Sequence, residues 1–277
     1  MFLGDPRAVN YRHAFHAGNF ADIVKHAALT HLLAGVADRP GSMSIVDTHA
    51  GAGLYDLAGA EAQKAREADK GVLKLMADAG APEALTPLVE AVRQANDGSE
   101  TRLYPGSPWL IARALRPGDR YTAWELRPDV CADLRRVLGK RGRAVVGDGF
   151  TAAPREVASR GPALALIDPP FEQGDDYPRT AQAMRAILAR NPTATVMAWL
   201  PLKDLDTFDR FLGDLEDTPA LVAEARLRPL TDPMKMNGCA LVIAGAPEGL
   251  EAKLQAICDW VVGAAGEDGA KTRIWRL

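Results

Sequence analysis

The sequence predicts an α/β protein built on a mostly parallel, doubly wound sheet. Three observations carry that reading. Strand and helix patterns alternate along most of the 277 residues. A glycine-rich turn follows the first strand pattern. Acidic residues then stand at the ends of four strand patterns, at Asp47, Glu125, Asp148 and Asp168. Open sheets of this class bind ligands beyond the carboxyl ends of their strands, so acids gathered there point to one polar ligand across the switch point.

The elements follow in order. Gly18-Asn19 starts a helix whose apolar residues Ile23, Val24, Ala27, Ala28, Leu32 and Leu33 keep helical spacing, and Arg39-Pro40-Gly41 ends it. Residues 43–46 form the first strand. Residues 61–96 are rich in Ala, Glu and Lys, which predicts helix. Tyr104-Pro105-Gly106-Ser107-Pro108 reads as a turn, with Ser107 as N-cap and Pro108 as first residue of the next helix. Strands are expected at 121–125, 144–146, 163–167 and 195–200, with helices near 129–138, 151–159 and 179–189. Residues 221–227 and 240–244 are separated by too few residues for a crossover helix, so they are expected to pair antiparallel. A last amphipathic helix spans about 250–262. The count is a seven-stranded sheet with an antiparallel strand near its C-terminal end and a helical insertion at about 57–105.

Composition excludes several classes. Hydrophobic residues make up 47% and charged residues 25%, the values of an ordinary globular protein. A net charge of -3 argues against indiscriminate coating of nucleic acid, though not against a local basic face. Such a face is suggested by nine Lys or Arg against four acids between Arg113 and Arg143, which reads as a solvated helix face or as a phosphate contact. Cys131, Cys239 and Cys258 are scattered without CxxC spacing and are expected as reduced thiols. Nothing resembles a signal peptide or membrane span, so a soluble cytoplasmic monomer is expected. His13 and His16 have HxxH spacing but no clustered Cys or Glu, so no metal is expected.

Two stretches carry chemistry. Asp47-x-x-x-Gly51-x-Gly53 lets a cofactor approach the backbone closely. It departs from the dinucleotide fingerprint, because Asp56 stands where a third glycine belongs and the next strand-end acid, Glu125, comes only after about 50 inserted residues. Glu125 suits ribose hydroxyls. Asp148-Gly149-Phe150 suits an adenine ring, and equally suits a helix N-cap with a core aromatic. Asp168-Pro169-Pro170-Phe171 ends the 163–167 strand. Two prolines cannot continue a ladder; they stiffen a turn that presents an acid, a carbonyl and an aromatic ring within four residues. That set fits a planar base carrying an exocyclic amine.

Together these residues resemble the S-adenosylmethionine-dependent amino-methyltransferases, whose catalytic motif is similar to Asp168–Phe171. The stretch from Tyr11 through His13, His16, Asn19 and Asp22 to Lys25-His26, with Asp47–Gly53 and Tyr104–Pro108, resembles the RlmJ family of bacterial 23S rRNA adenine-N6 methyltransferases. The resemblance covers residues 10–277; Met1–Val9 would be a disordered extension or the product of an upstream start. It implies a Rossmann-like methyltransferase fold and transfer to adenine 2030 of 23S rRNA, naked or in an assembly precursor. It also implies that His26, His49, Gly51, Ser107, Glu125, Asp148, Gly149 and Asp168 contact the methyl donor, S-adenosylmethionine, or line its pocket. Tyr11 and Lys25 would meet the substrate, although Tyr11 would equally anchor the N-terminus and Lys25 would equally hold the donor's carboxylate. Asp168 and the Pro169 carbonyl would each accept one N–H of the target amine, and Phe171 would stack on the base in place of the family's usual tyrosine. His26 and His49 also suit satisfied core histidines. Arg228 and Lys235 would flank the mouth. Alternatives are a DNA adenine or protein-glutamine amino-methyltransferase, an RNA-binding protein with a vestigial cofactor fold, and a nicotinamide-dependent enzyme.

Overall fold

The chain places its main sheet around β1 (Ser44–Asp47), whose four residues are all buried. The computed structural model describes residues 12–98, 100–215 and 217–277; the expectations for Met1–Val9 and Tyr11 lie outside the described residues. Preceding β1 is α1 (Phe20–Ala37), which starts where Asn19 Oδ1 accepts the N–H groups of Ala21 and Asp22 at 3.0 Å. After β1 come β2 (Leu54–Asp56), α2 (Ala60–Ala65), α3 (Val72–Ala77), α4 (Thr86–Ala95) and β3 (Leu103–Pro105). Then α5 (Ser107–Ala114), β4 (Arg120–Glu125), α6 (Pro128–Leu138), β5 (Arg143–Val146), α7 (Gly149–Glu156), β6 (Ala163–Ile167), α8 (Asp176–Arg190) and β7 (Thr195–Leu202) alternate as expected. The chain ends with α9 (Leu205–Gly213), β8 (Ala220–Arg226), β9 (Gly238–Ala244), α10 (Leu250–Ala265) and β10 (Lys271–Arg276).

The sheet order is β10-β8-β9-β7-β6-β1-β4-β5. β5, β4, β1, β6 and β7 pair parallel, while β9 runs antiparallel between β7 and β8. The chain fills the β4–β5 side of β1 first and then the β6–β7 side, so the switch point lies between β1 and β6. Strand period two sends neighbouring residues to opposite faces. Ile45 and Leu166 join Ile23, Leu29, Ile111 and Leu254 on the face covered by α1, α5 and α10. Val46 and Ile167 join Phe150, Met184, Phe208 and Phe211 under α7, α8 and α9. The architecture is a mostly parallel, Rossmann-like α/β fold. No helix among the described residues is long and apolar enough to cross a membrane.

Some local expectations change. The sheet gains an eighth strand, β10, which pairs antiparallel with β8. Its Lys-Thr-Arg-Ile-Trp-Arg sequence puts charge on an exposed edge, so it lacks the apolar run of a central strand. α9 also went unread, although Asp204 caps it by accepting the Thr207 N–H at 2.7 Å. Ser107 is not an N-cap. Gly106 caps α5, and Ser107 spends its hydroxyl elsewhere. Residues 61–96 form three short α-helices and 3₁₀ turns rather than continuous helix, and β2 and β3 close the insertion as an antiparallel ribbon.

The break before α3 has a cause at Gly71. A Cβ there would lie 2.0 Å from the Gly18 carbonyl oxygen, and the next residue, Val72, donates its N–H to that oxygen at 2.8 Å. Gly18 itself has φ +75, and a Cβ on it would sit 2.6 Å from Val72 Cγ1. The insertion therefore docks backbone to backbone on the entry to α1. Gly71→Ala should destabilise the protein by about 1–3 kcal/mol in urea unfolding, because the clash is with backbone and cannot be relieved by rotation of a side chain. Gly213→Ala, where nothing lies within 4 Å, should be neutral or slightly stabilising. Equal effects at both positions would contradict the docking.

Candidate active site

The C-terminal ends of β1, β4, β6 and β7 open into one cleft of about 1340 Å³, lined by His26, Gly51, Glu125, Asp148, Asp168 and Trp199, among others. Pockets for single small ligands are about 300–1,000 Å³. The cleft thus has room for a nucleoside-sized cofactor and a second ring beside it.

Asp47 stands behind the glycine turn rather than in the cleft. Its side chain is fully buried and accepts from Ser107 Oγ at 2.9 Å and from the Tyr121 hydroxyl at 3.3 Å. Burial pushes its pKa up to about 7, against the opposing effect of the Ser107 hydrogen bond. Ser107, which does line the cleft, is held by that bond. Gly51 has φ +66, and a Cβ there would meet the Tyr55 hydroxyl at 2.3 Å. Its N–H donates to Glu125 Oε2 at 3.1 Å, and the Arg127 N–H donates to Oε1 at 2.8 Å. Burial nevertheless raises the Glu125 pKa. The turn and the acid are thus tied together across β1 and β4.

Asp148 is the N-cap that the sequence allowed, and it also faces the cleft. It caps α7 by accepting the Phe150 N–H at 3.0 Å, and it lines the cleft while paired with Arg179 at 2.7 Å. The Arg179 guanidinium lies 4.3 Å from the Phe150 ring centre. His49 meets the same ring edge-on at 4.5 Å and hydrogen-bonds Thr48 Oγ1 through Nδ1 at 2.7 Å. Gly149 is required here, because a Cβ would lie 2.1 Å from the Thr48 carbonyl oxygen. Burial lowers the pKa of both His49 and His26 to about 3, so both are neutral at physiological pH. His26 shares a 2.8 Å hydrogen bond with the Tyr104 hydroxyl.

Lys25 is buried. Its ammonium lies 2.9 Å from Asp22 Oδ1 and 2.6 Å from Asp168 Oδ2. Asp22 also accepts from the Gly18 N–H at 2.9 Å and faces His13 Nε2 at 3.0 Å. Burial raises its pKa, but the charges of His13 and Lys25 outweigh that and hold it well below the usual carboxylate range. His16 pairs with Glu67 at 2.8 Å, so the two histidines of the HxxH stretch serve separate carboxylates. Phe171 adopts φ +51, rare for a residue with a side chain and costing about 1–3 kcal/mol. Packing holds it there: its ring lies 4.6 Å from Tyr177 and 5.9 Å from Trp199. Tyr177 does not restore the missing hydroxyl, because its own donates to the Pro201 carbonyl at 2.9 Å.

Sequence reading missed Arg179, Tyr177 and Trp199. Each reaches the site from an element with no local motif. The basic run is partly neutralised in place: Arg116, Arg127, Arg136 and Arg143, four of its nine cations, pair with Asp119, Asp129, Asp133 and Glu156.

Asp47 generates a pH prediction. Its folded pKa is raised, so the stability it contributes is complete below its ordinary value of 3.8 and is lost as pH rises to about 7. Asp47→Asn carries no such loss. The stability of Asp47→Asn relative to the parent should therefore rise between about pH 4 and 7 and level off above. Parallel stability profiles from urea titrations would contradict a raised Asp47.

The family model described as ribosomal RNA large subunit methyltransferase D, RlmJ, matches residues 41–277. Over 261 residues the chain is 30% identical to the Escherichia coli protein named ribosomal RNA large subunit methyltransferase J, covering 91% of this chain and 92% of that one. The Haemophilus influenzae protein of the same name is 32% identical over 264 residues, with the same coverage. A crystal structure of a Legionella pneumophila protein superposes with a TM-score of 0.84 at 25% identity, covering 94% of this chain and 98% of that one. With its strand-end acids around one cleft and these relatives, the chain belongs to the RlmJ family of ribosomal RNA large subunit methyltransferases.

Proposed function

We propose that the protein transfers the methyl group of S-adenosylmethionine to the exocyclic amine, N6, of adenine 2030 in 23S rRNA, working as a cytoplasmic monomer. The observation that carries the reading is the seating of Asp168 at the end of β6. Its carboxylate is clamped by Lys25 through Oδ2 beside the cleft that Glu125 and Asp148 also line.

The residues present fit the donor. Gly51 and Gly149 line the cleft without side chains, each kept a glycine by the protein atom that a Cβ would meet. Glu125 offers a carboxylate to ribose hydroxyls, Asp148 offers one to an adenine amine, and Ser107, His26 and His49 are uncharged polar neighbours. When bound, the donor supplies a methyl group on a sulfonium, already activated for displacement.

An adenine amine is a poor nucleophile because its lone pair is delocalised into the ring. Asp168 Oδ1 and the Pro169 carbonyl each accept one N–H, which draws the nitrogen toward tetrahedral geometry and frees the lone pair for in-line attack. Asp168 takes up the proton released as the N–C bond forms and passes it to solvent. Lys25 holds Asp168 in place through Oδ2, leaving Oδ1 for the amine. Phe171, braced by Tyr177 and Trp199, offers a ring to the base. Alignment of this kind supplies about 7–11 kcal/mol of barrier reduction. The base must leave its stack to reach the site. Tyr11 is assigned to the RNA by the family pattern, and Lys25, buried under Asp168, serves the substrate through that acid.

Labelled donor mixed with 23S rRNA from a strain lacking the activity should label the RNA and leave duplex DNA and release factors unlabelled. Label in DNA or protein alone would overturn the reading. Asp168→Ala should lower methyl transfer by about 10²–10⁴-fold, while binding of S-adenosylhomocysteine, read by calorimetry, persists. Turnover at the parent rate in that variant would remove Asp168 from the chemistry.

A further inference from the structure

Large apolar side chains exposed singly are ordinary on a protein surface, but here their placement is not random. Among the described residues five stand out: Leu126, Val146, Leu205, Met234 and Leu277. Leu277 is the chain end. Leu126 and Val146 stand at the ends of β4 and β5, Leu205 opens α9 after β7, and Met234 lies in the loop after β8, all on the edge that carries the cleft. Leu126, Val146 and Leu205 are 41–43% exposed; Met234 is 91% exposed.

Met234 is also mounted on a built turn. It sits in residues 227–237, which join β8 to β9 and contain Pro229 and Pro233. Asp232 organises the tip: its Oδ1 accepts the Met234 N–H at 3.1 Å and its carbonyl accepts the Lys235 N–H at 3.1 Å. Asn237, wholly buried, ties the base of the turn to the cleft wall. Its N–H donates to the Leu202 carbonyl at 2.8 Å, and its Nδ2 donates to the carbonyls of Lys203 and Asp232 at 2.8 Å. Lys203 and Met236 line the cleft itself. A hydrogen-bonded loop rooted at the cleft that Asp168 lines thus presents an unbranched apolar side chain to solvent.

A base that enters the cleft leaves a gap between its former neighbours. Apolar wedges inserted between bases hold such gaps open, and a methionine thioether packs well against aromatic faces. We infer that Met234 is the wedge that fills the stack vacated by the target adenine, so that the protein acts on an adenine stacked within structured RNA. This inference rests on the proposed RNA adenine activity. Met234 positions the substrate and touches no reacting atom.

The test compares kcat/KM on two RNAs carrying the same target adenosine, one in a hairpin stem and one in a short unstructured oligonucleotide. Met234→Ala should lose about tenfold or more on the stem and change by less than about twofold on the single strand, because only the stem requires unstacking. Met234→Leu should restore the stem activity. With 2-aminopurine at the target, the parent should raise fluorescence on binding the stem and Met234→Ala should not. Equal losses on both RNAs, or no loss on the stem, would overturn the wedge alone. Absence of methylation of either RNA by the parent would overturn the RNA reading and the wedge with it.

Discussion

The Lys25 ammonium, buried between Asp22 and Asp168, is the interaction on which the rest of the site depends. It ties the first turn of α1 to the end of β6, 143 residues away. Removing one partner of a buried ion pair costs about 3–5 kcal/mol, far more than a surface pair, because an uncompensated charge stays behind. Asp22 extends the clamp to the Gly18 backbone and to His13. Gly18 in turn receives the insertion through Val72. One charged triad therefore couples the N-terminal segment, the insertion and the Asp-Pro-Pro-Phe turn.

The parts of this site legible in the sequence are those built from neighbours in sequence. A strand ending in an acid and two prolines can be read locally, as can a glycine turn after a strand. The alternation of elements predicted the doubly wound sheet for the same reason. What escaped depends on partners brought together by the fold. Nothing near Lys25 in sequence says that it faces Asp168 rather than solvent. Arg179 reaches Asp148 and Phe150 only because α8 packs beside α7. Ser107 looked like a cap because Ser-Pro commonly starts a helix, but the buried Asp47 claims its hydroxyl. β10 was missed because an edge strand can be charged and still pair.

At Asp148, capping a helix and lining the cleft do not compete. A carboxylate has enough lone pairs to cap α7, pair with Arg179 and still present an edge to the cleft. Glu125 behaves likewise, with two backbone N–H donors fixing it before any ligand arrives. These bonds preset the acids, so little reorganisation is required on binding. The strained backbone of Phe171 belongs to the same design: Tyr177 and Trp199 hold its ring where an unbraced turn would relax.

The reaction proposed for this prearranged site is methylation of the exocyclic amine of an adenine in ribosomal RNA. Mass spectrometry of nucleosides from 23S rRNA treated with the protein and donor tests it most directly. The account predicts N6-methyladenosine as the product. Methylation of a ring nitrogen, a ribose hydroxyl or another base would contradict it.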